Sequence, residues 1–157
     1  MRTHGRDFNA QLDRIQGRLQ ARLGDILERV RAEALGHAVI GVRRNVYDTT
    51  PSAYERTGNL LRSLDATKRQ TRASLTVILT ASAEYASNVE YGSGPGGVSD
   101  TQVLTRAEAR QDQAAPLYLG RTGRNYLQAG PFLLPAAAYA KHRLLVLFSD
   151  AVQDEWR

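Results

Sequence analysis

The stretch FNAQLDRIQGRLQARLGDILERVRAEALGHAVIGVRRNV, residues 8–46, decides the fold. Its apolar residues recur at Phe8, Leu12, Ile15, Leu19, Leu23, Ile26, Val30, Ala34, Ala38 and Val42, in steps of three and four that lay one stripe along a helix. Gly17, Gly24, Gly36 and Gly41 each weaken that helix by about 1 kcal/mol relative to Ala, so a bend or break near one of them is expected. Unbroken, its roughly 39 residues reach about 58 Å at 1.5 Å per residue, more than a small globule covers. Part of it must then project or meet another subunit. A helical hairpin folded on itself is the other reading, and both stay open here.

Reading outward, Asp48-Thr49-Thr50-Pro51-Ser52 is turn chemistry, because Pro51 fixes its own φ and disfavours a helix through Thr50. Thr57 reads as the N-cap of a short helix from Gly58 to about Leu64, with Leu60, Leu61 and Leu64 as its apolar face. The β-branched run Ser74 to Thr80 is expected to pair with Ala66 to Gln70 as a hairpin through Thr71, Arg72 and Ala73. Glu84 to Glu90 reads as a short helix with Tyr85 and Val89 on one side. Gly92 to Gly97 ends it in a glycine-rich loop. A polar helix from Asp100 to about Asp112 follows, then a hairpin, Leu117 to Gln128, with a basic tip at Arg121-Thr122-Gly123-Arg124. The closing helix starts at Pro131 to Pro135 and runs to about Asp154, burying Ala136, Tyr139, Leu144, Leu147 and Phe148. The fold class is α+β: a long N-terminal amphipathic helix or hairpin, a small antiparallel sheet, and a C-terminal helix packed on the sheet. One domain is expected over residues 1–157, with 1–48 as a helical arm and 92–130 as a loop and hairpin insertion.

Three blocks of residues stand out in order. They are Thr57-Gly58-Asn59-Leu60-Leu61-Arg62-Ser63-Leu64, then Tyr85-Ala86-Ser87-Asn88-Val89-Glu90-Tyr91-Gly92-Ser93, then Pro131-Phe132-Leu133-Leu134-Pro135-Ala136. Together they resemble the tail-completion or head-tail joining (neck) family of long-tailed bacteriophages, whose members run Thr-Gly-x-Leu-x-x-Ser-Ile, Tyr-Ala-x-x-Val-Glu-Phe-Gly-Thr and Pro-Phe-Leu-x-Pro-Ala. Tyr91 stands where Phe is usual and Ser93 where Thr is usual. Pro-Ser-Ala-Tyr-Glu-Arg precedes the first block in place of the commoner Pro-Val-Asp.

The resemblance implies a structural protein of the virion neck, made in the bacterial cytoplasm. It implies a ring, generally a hexamer, that completes the tail and docks on the head connector or stopper and on the tail tube or terminator. DNA would pass through its channel without sequence recognition. The resemblance marks Thr57, Gly58, Leu60, Ser63, Tyr85, Glu90, Tyr91, Gly92, Phe132 and Pro135 as family motif and interface. A head-side stopper or tail terminator of the same neck fits the blocks as well. The loops, with Arg121 and Arg124, are expected at contacts between subunits or with the connector.

Glu90 has a physical role to fill: a buried or interfacial carboxylate accepting hydrogen bonds from Arg56, Arg62 or backbone amides. The plainer alternative is a residue that caps and solubilises a helix end. Trp156 reads either as a partner anchor or as part of a packed terminal helix.

Composition bounds the remaining classes. With 157 residues, 42% of them apolar and 24% charged, the chain has the make-up of an ordinary globule. Without cysteine there is no disulfide, no thiolate metal site and no cysteine nucleophile. No apolar run is long enough to span a bilayer, so a cytosolic protein without a membrane partner is expected. The net charge of +5 gathers in residues 1–72, with 14 Lys or Arg against 8 Asp or Glu. Those charges interleave, as on a solvated helix face, and a basic-helix DNA-binding protein is the reading of another class. His4, His37 and His142 sit in separate elements without metal-ligand spacing and read as surface or helix-face residues. The glycines of residues 92–97 follow a helix and lack Gly-Lys-Ser/Thr. Glu84 and Glu90, six apart, make a poor acid/base pair. No catalytic residue, cofactor or metal is expected.

Overall fold

The computed structural model describes residues 4–48, 57–71, 73–92, 99 and 129–155. Helix α1, His4–Val42, is continuous through Gly17, Gly24, Gly36 and Gly41 and passes into a π-helical turn at Arg43–Tyr47. This excludes the hairpin reading and the expected break. Tertiary packing supplies what helix propensity lacks, since Leu27, Val30, Ala34, Ala38 and Val42 are all buried.

A one-turn helix α2, Asn59–Arg62, leads into strand β1, Leu64–Gln70. Strand β2, Leu75–Ala81, pairs antiparallel with β1, from Leu64 opposite Ala81 to Gln70 opposite Leu75. The Thr71 hydroxyl accepts the N–H groups of Ala73 and Ser74 and closes the hairpin. Helix α3, Ala86–Tyr91, follows, and helix α4, Leu133–Glu155, ends the described chain. The fold is therefore α+β, with a two-stranded sheet among the described residues.

Helices α1 and α4 run antiparallel, as Arg18–Glu155, Arg22–Asp154 and Glu33–Arg143 pairs show. Val30, Ala34 and Ala140 form one core with Val77, Leu79, Leu144 and Leu147 packed against it. A second core, at the other end of α1, joins Val42, Val46, Leu60, Ala86, Val89 and Phe132. Gly41 allows that junction, because a Cβ there would stand 3.1 Å from Phe132 Cβ and 3.2 Å from its Cα.

Several local expectations change. Thr57 is not the N-cap of α2; Gly58 is, at φ +75°, a left-handed conformation that Gly adopts without strain. The helix stops at Arg62 because the Ser63 hydroxyl donates to the Leu60 carbonyl and the chain turns into β1 at Leu64. Glu84 and Tyr85 precede α3 rather than open it. Phe148, expected in the core, is exposed, because α4 turns it outward beside Leu145. The glycine-rich loop expected after Gly92, the helix at 100–112, the hairpin at 117–128 with Arg121 and Arg124, Arg56 and Trp156 all lie outside the described residues.

Candidate functional site

The three sequence blocks, far apart along the chain, meet at one place. Leu60 of the first, Ala86 and Val89 of the second and Phe132 of the third share the core at the π-helical end of α1. Glu90 lies at its centre, 2% exposed. One carboxylate oxygen accepts the Phe132 and Leu133 N–H groups at 2.8 and 2.9 Å, and the other accepts the Leu134 N–H at 2.8 Å.

An α-helix leaves its first four N–H groups without partners inside the helix. In α4 those positions are Phe132, Leu133, Leu134 and Pro135. Glu90 takes the first three, and Pro135 has no N–H to satisfy. The carboxylate also stands at the positive end of the helix dipole, where an acidic group is favoured. Two further bonds brace the junction: Gly130 N–H donates to the Val89 carbonyl at 2.8 Å, and Asn45 Nδ2 donates to the Pro131 carbonyl at 2.7 Å. Among the described residues Glu90 thus accepts from backbone amides, one of the partners its sequence context suggested; Arg56, another, lies outside them. Arg62 instead donates to the Thr57 carbonyl and to Asn59 Oδ1, both at 2.9 Å, and so holds the turn around Gly58.

Each block residue has a place in this arrangement. Gly58 supplies the left-handed turn, Leu60 fills the core, and Ser63 ends α2. Tyr85 is half-buried against the core, and its carbonyl accepts the Val89 N–H. Tyr91 is half-buried, and Gly92 ends α3 at φ +75°, ψ −178°, a conformation essentially confined to Gly. Phe132 and Pro135 are buried; Thr57 is exposed. Leu60, Glu90 and Phe132 therefore face the interior of the chain.

A second cluster was not evident from sequence. Glu33 on α1 accepts from Tyr139 Oη at 3.1 Å and from Arg143 Nε at 2.9 Å, both on α4, and from Arg29 Nε at 2.8 Å. These donors, Arg143 foremost, hold its carboxyl at about 2, well below the usual range. His37, one turn on, stacks on Tyr139 with ring centroids 4.8 Å apart. Burial lowers its pKa, and its Nδ1 has no hydrogen-bond partner among the described residues. His37 is accordingly an inter-helix packing residue, more enclosed than a surface histidine. Glu28 is likewise held at about 2 by Arg31 and Lys68.

A groove of about 950 Å³ opens between β2 and α4, with Leu75, Leu79, Tyr91, Leu144, Leu145 and Phe148 among its walls. Among the described residues no group of three or more acidic or histidine side chains could hold a metal ion, and no helix is long and apolar enough to cross a membrane.

A buried polar lock, a mostly apolar groove and a long helix make a set of packing surfaces, the equipment of a structural protein. The family model described as "Bacteriophage HK97-gp10, putative tail-component" matches residues 6–92. That is more than half of the chain, which belongs to this HK97-gp10-like family of phage tail components. The match takes in the first block and the second as far as Gly92; the third lies beyond it. No curated protein and no solved structure gives a match.

Proposed function

We propose that this chain is a subunit of the phage neck, forming a closed hexameric ring that completes the tail and joins it to the head connector. The observation that carries the reading is the convergence of all three blocks on one junction around Glu90, in a chain of a phage tail-component family. Such a lock makes a rigid subunit from distant segments. The work of the ring is mechanical: it presents one face to the tail tube or terminator, another to the connector or stopper, and leaves a channel for DNA. Thr57, Gly58, Ser63, Tyr85, Tyr91 and Gly92, the motif residues that are at least partly exposed, are the ones placed to reach a neighbour. The stopper and terminator positions of the same neck are the nearest alternatives.

The DNA-binding reading loses ground to the ion pairs. Arg18, Arg22, Arg29, Arg31 and Lys68 each pair with a carboxylate of this chain, which leaves less of the basic excess for phosphates.

Gold-conjugated antibody against a short tag on the chain, imaged on intact particles, tests the position. Label at the head-tail junction supports it. Label along the tube or on the capsid shell contradicts it.

A further inference from the structure

We propose that the projecting start of α1 from one copy lies in the groove between β2 and α4 of the next. The partner, a second copy of this chain, rests on the ring reading above; the surfaces are argued from the subunit itself.

The apolar stripe of α1 is covered only in part. Ile26, Val30 and Ala34 pack against α4 and the sheet, and the α1–α4 ion pairs reach back as far as Arg18. The same stripe continues in the same steps through Leu19, Ile15 and Leu12. From residue 9 to 17 every side chain is exposed except the half-buried Ile15, and Leu12 is 42% exposed. An apolar stripe that outruns its own subunit is what a helix-in-groove contact uses.

The groove offers the complementary face. Its α4 wall presents Leu145 and Phe148, 61% and 43% exposed, above the half-buried Leu134 and Leu144. Its other wall is β2, which among the described residues pairs with β1 alone. The dimensions agree: His4 to Gly17 and Leu134 to Phe148 each span about 20 Å at 1.5 Å per residue. Because α1 is continuous, its start leads away beyond the end of α4 and does not fold back into its own groove. Each copy gives one helix end and receives another, so every subunit is held by two such contacts, one with each neighbour. Giving and receiving through different surfaces is a head-to-tail contact, which closes as a ring when the rotation between neighbours is a whole fraction of a turn.

The absence of native cysteine makes the test clean. Leu12→Cys protein is mixed with Phe148→Cys or Leu145→Cys protein and treated with a short bis-maleimide. Ile78→Cys, exposed on the opposite face of the sheet, serves as control. The expected result is an inter-chain link from position 12 to 148 or 145 and none to 78. Leu12→Asp, at a site that leaves its own fold intact, is expected to raise the dissociation constant at least tenfold.

A closed ring that forms without the link overturns this contact and leaves the ring reading standing. A link in open chains or reciprocal dimers keeps the contact and sinks the ring. Position 12 linking mainly to itself shows that the helix ends pair with each other and overturns the proposal. So does a wild-type chain that stays monomeric.

Discussion

Glu90 Oε2 accepts the backbone N–H of Phe132 at 2.8 Å across 42 residues of sequence, so one side chain of α3 caps the helix that closes the fold. With the Leu133 and Leu134 amides it satisfies every N–H that the start of α4 exposes. Replacing it with Ala leaves three inward-facing donors without their acceptor. Glu90→Ala is expected to cost about 3 kcal/mol, from lost capping and unsatisfied buried amides. Glu90→Gln keeps one acceptor oxygen and is expected to cost about 1–2 kcal/mol. Urea unfolding of the three proteins measures both. A loss below about 0.5 kcal/mol for the Ala variant would contradict the role.

Gly41 and Gly36 lie in the same helix, yet the same substitution is expected to act with opposite sign. At Gly36 a Cβ meets nothing within 4 Å, so Gly36→Ala is expected to stabilise by about 0.5–1 kcal/mol through helix propensity. At Gly41 the Cβ meets the Phe132 Cα at 3.2 Å, and that backbone is held by Glu90. Gly41→Ala is therefore expected to destabilise by about 1–3 kcal/mol, the usual cost of overpacking. Thermal melts separate the two, at about 2–4 °C per kcal/mol for a chain of this size.

The elements that local pattern governs were legible in the sequence. The stripe from Leu12 to Val42 gave α1, and the β-branched run at Ser74 to Thr80 gave β2 and its register partner. What stayed hidden depends on distant partners. Glu90 offered three sets of donors, and the amides it accepts from stand 42 to 44 residues away, where no local pattern points. The Glu33 cluster joins residues 106 and 110 apart, and no local spacing announces it. Thr57 carried the chemistry of an N-cap, but the left-handed Gly58 displaced it. Phe148 fitted an apolar helix face, yet it is 43% exposed where the described residues leave that face uncovered.

Stability is expected to fall in two steps on acidification. His37 has a folded pKa below its ordinary 6.5, so the unfolded chain takes up that proton first and stability declines as pH drops below about 6.5. Glu33 titrates at about 2 when folded and 4.5 when unfolded, so its contribution is present above about 4.5 and is lost towards pH 2. Unfolding free energy measured from pH 8 to 3 should show both. His37→Phe, which keeps the stacking on Tyr139, is expected to remove the first step. Glu33→Gln is expected to weaken the second and to cost about 1 kcal/mol at pH 7, a value reduced by solvent screening.

Electron microscopy of a lysate in which this gene is silenced tests whether the protein joins head to tail. DNA-filled heads and separate tails of normal length are expected, joined again when the gene is restored. Joined, infectious particles in the silenced lysate would contradict it.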